Sequence, residues 1–319
     1  MMPRQIDEAM FEDRHEKISM RKIWAKVAER ESLEHNIPEE PLFLTLSGAE
    51  GRDIEELIQQ GIISTEENLA ISEEDKDKVV AVENSFTAVL RLQKKFPGLK
   101  IYEHDYKNLV RGPGPLRWPD SEEEKRYCRA KVINLDLNEP LKPIDNGGNT
   151  EFPILQIVEK FCRLHEQDPK IDWSLCLTLH GEIIWAPDVS SSISKFLIEN
   201  FKDDDFRNAC TTFLGDSLSQ SIYDLADLAS LSNEDQQKIL MVFVPKKLSH
   251  MHHNKGWKLE VEKNLRYGGH DSFAPMVTWI IKFKWDSRAS STPDLVYRES
   301  LNSILDQAGK INSSGILDC

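Results

Sequence analysis

Short apolar runs alternate with longer segments of helical periodicity along this chain. Residues 42–46 (LFLTL) form an apolar run of strand length, followed by a glycine-bearing turn and a segment in which Ile54, Leu57 and Ile58 share one helical face. Residues 79–82 predict a second buried strand, 85–95 a helix closed by Pro97 and Gly98, and 99–102 a third strand. A Pro/Gly-rich loop (RGPGPLRWPD) and a charged helix (SEEEKRYCRA) lead to residues 131–137, the fourth strand candidate. Residues 154–166 then predict a helix and 173–179 a fifth strand. Ahead of all these, Ile18, Ile23, Trp24 and Val27 recur at helical spacing within 18–28.

Strands separated by helices imply parallel neighbours, because a parallel strand is reached only through a crossover. The expected fold class is therefore α/β, a doubly wound and mostly parallel sheet with an extra N-terminal helical segment. After the fifth strand the pattern turns helical through about Leu231. Residues 239–244 (ILMVFV) then read as a last parallel strand, and the β-rich runs 257–262 and 276–285 supply a C-terminal antiparallel β-hairpin with an antiparallel edge strand. This divides the chain into an N-terminal helical extension over 1–40, the α/β domain over 41–286 with a helical insertion at about 186–236, and a C-terminal helical tail over 287–319.

Composition narrows the function. The formal charge of -14 on 319 residues disfavours tight nonspecific nucleic-acid binding, which rests on Lys and Arg neutralising phosphates, and leaves only a local basic groove for such a partner. No apolar run is long enough to cross a membrane, and the first residues carry neither a secretory nor a transit pattern, so a soluble, cytoplasmic protein is expected. Cys128, Cys162, Cys176, Cys210 and Cys319 are irregularly spaced without a C-x-x-C pair, which predicts reduced thiols used mostly in packing.

The turn after a first strand is where a doubly wound sheet receives a nucleotide-like ligand, since helix N-terminal amides point there and glycine lets the backbone approach. Here it is Ser47-Gly48-Ala49-Glu50-Gly51-Arg52-Asp53, which lacks the third glycine of G-x-G-x-x-G. The second strand leads into Glu83, an acid that can accept hydrogen bonds from ribose hydroxyls. The third is followed by Glu103-His104-Asp105, and the fourth carries the polar cluster Asn134-Leu135-Asp136-Leu137-Asn138 toward its carboxyl end.

That order of features resembles the class I, Rossmann-like S-adenosylmethionine-dependent methyltransferases over about residues 42–179, with 239–285 matching the family's terminal strand and hairpin. The resemblance implies S-adenosyl-L-methionine as cofactor. Gly48, Glu50 and Gly51 would line its methionine and ribose side, Glu83 would hold the ribose, and His104 or Asp105 would approach adenine. Asn134 would add to the cofactor side, while Asp136 and Asn138 would face the methyl acceptor as catalytic residues. The wider separation of Glu83 from the glycine turn makes 65–78 a surface insertion. The Asp/Asn-Pro-Pro-aromatic signature of nucleic-acid amino methyltransferases is absent from the fourth strand, so the resemblance does not extend to base amino methylation.

Arg111, Arg117 and Trp118 join charge to a stacking surface in the Pro/Gly-rich loop and are candidate contacts to the acceptor. His250, His252 and His253 lie in a run without Cys or acid, which reads as a polar loop rather than a metal site, and His270-Asp271 reads as a turn before it reads as a base pair for proton transfer. Methyl transfer to an unidentified acceptor is thus the leading expectation, with no metal. Two alternatives stay open: a catalytically inactive methyltransferase-like adaptor that senses a nucleoside or engages a protein partner, and a nicotinamide-dependent oxidoreductase on the same fold.

Overall fold

The computed structural model describes residues 14–34, 40–109, 119, 121–142, 144–146, 149–167, 169–183, 187–252, 255–268, 274–286, 308–311 and 317–318. The fold class is α/β with a mostly parallel sheet and antiparallel strands near the C-terminus. The chain forms two compact units, Met1–Asp136 with Ile311–Asp318, and Leu137–Lys310.

In the first unit, helix α1 (His15–Glu34) extends past both ends of the expected segment. Its inner stripe runs through Lys17, Met20, Arg21, Trp24, Ala28 and Glu31, an i, i+3, i+4, i+7 pattern that includes charged positions. Ile18 and Ile23, expected on the packed face, are only half-buried. Strand β1 (Phe43–Thr45) leads to α2 (Arg52–Gln59), against which α1 packs.

Next come β2 (Val79–Glu83), α3 (Phe86–Lys95), β3 (Lys100–Glu103), α4 (Glu122–Tyr127) and β4 (Val132–Leu141). Helix α3 starts where the Ser85 Oγ accepts from the Ala88 N–H, and Lys94 and Lys95 oppose the dipole of its last turn. Helix α4 starts at a capping box between Ser121 and Glu124. All neighbours are parallel, with Thr45 beside Ala81 and Asn134, and Val80 beside Lys100, so the order is β3-β2-β1-β4. The path moves outward from β1 to β3 and returns to the other side of β1. That reversal is a topological switch point.

Strand β4 outruns its expected end. Residues 131–135 are buried on both faces, and Leu137 and Leu141 are buried beyond them, so the strand runs on through the polar cluster. The 65–78 segment is a surface excursion closed on itself: Thr65 bridges Ile71, and the Asp75 carboxylate accepts from the Ser64 N–H at 2.7 Å.

The second unit holds a small hairpin of β5 (Ile144–Asn146) and β6 (Asn149–Glu151), then α5 (Pro153–His165) and β7 (Trp173–Ile183). Helices α6 (Pro187–Asn200), α7 (Asp204–Leu214), α8 (Asp216–Tyr223) and α9 (Asn233–His252) follow. Strands β8 (Trp257–Tyr267) and β9 (Met276–Trp285) form the expected antiparallel hairpin. Strand β9 lies between β7 and β8, antiparallel to both, so β7 and β8 run in the same direction.

Two further expectations are corrected. The 239–244 run is the buried middle of α9 instead of a terminal strand. A fully covered helix needs no polar face, so an unbroken apolar run does not distinguish it from a buried strand; the polar residues on either side of the run complete the helix. Pro245 has no N–H to give the Met241 carbonyl, which instead accepts from Asn264 Nδ2 at 3.0 Å. Ala308–Ile311, expected in a helical tail, is strand β10, parallel to β8; residues 287–307 lie outside the described set. Among the described residues no helix is long and apolar enough to cross a membrane.

Candidate functional site

Because the strands of the first unit are parallel, the glycine turn after β1, Glu83, the residues after β3, and the Asn134–Asp136 stretch of β4 all belong to the carboxyl-edge half of its sheet. The turn is built by two left-handed glycines. Gly48 has φ +56, is exposed, and has open space where a Cβ would stand. Gly51, φ +58, is the N-cap of α2 and packs inward: a Cβ there would lie 2.6 Å from Phe96 Cε2 and 2.8 Å from Leu92 Cδ2. Gly51→Ala should therefore lower unfolding free energy by about 1–3 kcal/mol through strain and overpacking, and more than Gly48→Ala, as read from denaturant midpoints. The Glu50 side chain is exposed, while its carbonyl accepts from Lys95 Nζ at 2.5 Å.

Glu83 is half-buried, and its Oε1 accepts from the Ser85 N–H at 2.9 Å. One carboxylate oxygen thus braces the entry to α3. Phe86, the first residue of α3, is 60% exposed, an aromatic surface that helical periodicity would have assigned to packing. The His104 N–H donates to the Glu83 carbonyl at 3.0 Å, and its Nε2 lies 3.3 Å from Glu124 Oε1. Asp105 Oδ1 accepts from the Lys107 N–H at 2.9 Å.

At the switch point itself lies a buried polar cluster that the sequence reading only half identified. Asp53 Oδ2 accepts from Thr45 Oγ1 at 2.8 Å and from Asn134 Nδ2 at 2.9 Å, and Arg21 Nε lies 3.3 Å from Asp53 Oδ1. Asp136 is ion-paired with Lys17, whose ammonium also lies 5.4 Å from the Trp24 ring centroid. Burial, reinforced by the neighbouring Asp136, pushes the Asp53 carboxyl above its ordinary range, against the pull of Arg21, Lys17 and Thr45. Lys17, Arg21, Thr45 and Asp53 were missed, because a charged residue on an amphipathic helix reads as solvent-facing. The only signal was that Lys17 and Arg21 share the face of Trp24.

The cluster leaves specific atoms unengaged. Ser47 Oγ, in the glycine turn, and Asn134 Oδ1 are buried without a hydrogen-bond partner among the described residues. A buried acceptor left alone is costly, and it commonly marks a place for a ligand or water. The site therefore combines an open backbone turn, two hydrogen-bond acceptors at the switch point and a carboxylate on the neighbouring strand. These suit a ligand that carries an ammonium and vicinal hydroxyls, as S-adenosylmethionine does.

Asn138 belongs to β4, in the second unit. Arg111, Arg117, Trp118, His253, His270 and Asp271 fall outside the described residues. His250 and His252 lie in the last turn of α9 instead of a polar loop. His252 is fully buried, its Nε2 3.9 Å from Cys162 Sγ. Cys128, Cys162, Cys176 and Cys210 are buried.

No family model matches the chain, and no curated protein sequence matches it. Among solved structures it is similar to a candidate class I S-adenosylmethionine-dependent methyltransferase from Listeria monocytogenes, with 12% identity and TM-score 0.38 over 84% of this chain and 60% of that one. It is also similar to the plantazolicin methyltransferase BpumL in complex with SAH, with 12% identity and TM-score 0.35 over 86% and 88% of the two chains. A modification subunit of a candidate type I restriction enzyme from Vibrio vulnificus YJ016 matches at 10% identity and TM-score 0.32 over 81% and 43%. The chain thus spans less than two thirds of the Listeria and Vibrio proteins. Likeness at these TM-scores assigns no role to any residue of this chain, and the functional reading rests on the first unit's own topology and edge.

Proposed function

We propose that the chain is a class I S-adenosylmethionine-dependent methyltransferase acting on an unidentified acceptor. The observation that carries this reading is the convergence, at a β1/β4 switch point, of the open Gly48 turn with the unengaged Ser47 Oγ and Asn134 Oδ1, flanked on β2 by Glu83. Open α/β sheets bind their ligands at such points, outside the strands' carboxyl ends.

In this reading the Gly48 backbone admits the cofactor's amino-acid end, and Ser47 and Asn134 accept from its ammonium. Glu83 accepts from the ribose hydroxyls through the oxygen not held by Ser85, and His104 and Asp105 border the adenine. Glu50 lines the ribose side, Gly51 sets the turn, and exposed Phe86 offers a stacking face. The cofactor supplies an electrophilic methyl group on sulfur. The chain's part is to align an acceptor nucleophile with it, and much of the rate comes from that proximity and orientation. Asp136 and Asn138 orient the acceptor, and Asp136 would have to loosen from its ion pair with Lys17 to take a proton. Arg111, Arg117 and Trp118 would contact the acceptor, and the setting is the cytoplasm.

A second reading, a nucleoside-binding adaptor without catalysis, is favoured by the same Lys17–Asp136 pair, since the carboxylate that would face an acceptor is already engaged.

Side-by-side calorimetric titration with S-adenosylmethionine, S-adenosylhomocysteine, NAD and ATP tests both readings at the cofactor. Micromolar binding of S-adenosylhomocysteine is expected. Glu83→Ala should weaken it by about 1–3 kcal/mol, the scale of lost hydrogen bonds to a charged group. Heat from NAD alone would replace the methyltransferase reading with an oxidoreductase.

A further inference from the structure

The polar cluster at the switch point has a fixed direction of hydrogen bonding. Thr45 on β1 stands beside Asn134 on β4, and both are completely buried. Asp53 reaches them from the first turn of α2, and Arg21 reaches Asp53 from α1. The Leu46 N–H donates to the Asn134 carbonyl at 3.3 Å, which ties the start of the glycine turn to the same point of β4.

A side-chain amide is nearly symmetrical in shape but not in hydrogen bonding, for its nitrogen has hydrogens to give and its oxygen has none. Here the nitrogen is fully occupied. Asn134 Nδ2 donates to Asp53 Oδ2 at 2.9 Å and to Thr45 Oγ1 at 3.3 Å. The Thr45 hydroxyl hydrogen goes to the same Asp53 oxygen at 2.8 Å, which leaves Thr45 Oγ1 an acceptor toward the amide. Arg21 Nε lies 3.3 Å from the other carboxyl oxygen, so donors meet both oxygens of Asp53. Turning the amide over would set its oxygen against acceptors and forfeit both of its hydrogen bonds. What this arrangement leaves over is Asn134 Oδ1, buried with no hydrogen-bond partner among the described residues.

We infer that Asp53 is a positioning residue that locks the Asn134 amide with its oxygen turned to the ligand, so that the site takes a ligand bearing an N–H donor at this place and rejects one bearing an anion. The inference rests on the cofactor reading, in which that donor is the ammonium of S-adenosylmethionine. Asp53 acts through Asn134 and needs no contact of its own with the ligand. A carboxylate or phosphate placed there would meet the lone pairs of Oδ1 in place of a hydrogen.

The test compares S-adenosylhomocysteine with 5′-methylthioadenosine, which keeps adenine, ribose and sulfur but lacks the amino-acid end, by calorimetric titration of the full-length protein. Wild type should prefer S-adenosylhomocysteine. Asp53→Leu, made together with Arg21→Met so that no guanidinium is left opposite an apolar side chain, should lower that preference at least about fivefold, within the range of a lost hydrogen bond to a charged group. Affinity for 5′-methylthioadenosine should stay within about threefold, because it makes no use of the amide. Asn134→Leu should lower the preference as far, and adding the Asp53 and Arg21 changes to it should lower it no further, since residues that act through one group do not add. Asp53→Asn keeps the shape of the side chain and should shift the preference in the same direction if the double variant does not fold.

An unchanged preference in the Asp53 variants, or an equal loss of both ligands in Asp53→Asn, overturns the inference. So does a full further drop on top of Asn134→Leu, the mark of a direct charge effect. Wild type that binds both ligands without preference overturns it while the cofactor reading stands, and wild type that binds neither overturns the cofactor reading itself.

Discussion

Asp136→Ala should reduce turnover by about 10²-fold or more while leaving S-adenosylhomocysteine affinity within a few-fold, the pattern of an interaction made mainly in the transition state. The assay follows S-adenosylhomocysteine release with small-molecule, RNA, DNA and protein acceptors drawn from a cell extract. From sequence, a carboxylate near a strand's end should be dispensable for folding. The structure reverses that expectation, because the side chain opposite Asp136, Lys17, is only 2% exposed.

Removing one member of such a pair leaves a buried charge behind and costs about 3–5 kcal/mol. Lost stability would then imitate lost catalysis. The double variant Lys17→Met/Asp136→Ala separates them: it should recover most of the stability and none of the turnover. Normal turnover in either Asp136 variant removes this residue from the chemistry. Wild-type protein that binds S-adenosylmethionine yet releases no product with any acceptor transfers the case to the adaptor.

Acidification should destabilise the second unit through His252. Burial, with Lys255 and Arg163 adding to it and Glu159 opposing, lowers the imidazolium from 6.5 to about 3. The folded state therefore keeps this ring neutral while the unfolded chain takes up a proton below pH 6.5. Its contribution is fully present above that value and is lost as pH falls toward 3, with a slope near 1.4 kcal/mol per unit and an upper limit of about 5 kcal/mol.

Glu159 and Glu234 are both held below 4.5 by basic neighbours, so their own acid-dependent losses begin lower. Urea unfolding between about pH 7 and pH 5 isolates the histidine. Wild type should lose about 2 kcal/mol over that interval, and His252→Leu should flatten the dependence. Equal slopes in the two proteins would show that His252 takes up its proton in the folded state as readily as in the unfolded one.

The linear pattern of the chain was enough to determine the alternation of β1, α2, β2, α3, β3 and β4, because each short apolar run is bounded by turn residues and each helix shows its own periodicity. Parallel pairing followed, since crossovers permit little else. With parallel strands, Gly48, Glu83, Asp105 and Asn134 had to fall toward one edge of the first unit's sheet, and the glycine turn marked the β1 side of the switch point.

Three matters needed the tertiary structure, each for a physical reason. A residue's charge says nothing about whether a counter-charge will meet it, so the inward course of Lys17 and Arg21 to Asp136 and Asp53 became visible only when α1 was packed. An apolar hexamer has no period, so 239–244 became helix only through the partners that surround it on every side. Strand order is set by pairings distant in sequence, and these placed β9 between β7 and β8. The glycine turn was written in local sequence, while the buried charge beneath it depended on contacts more than a hundred residues apart.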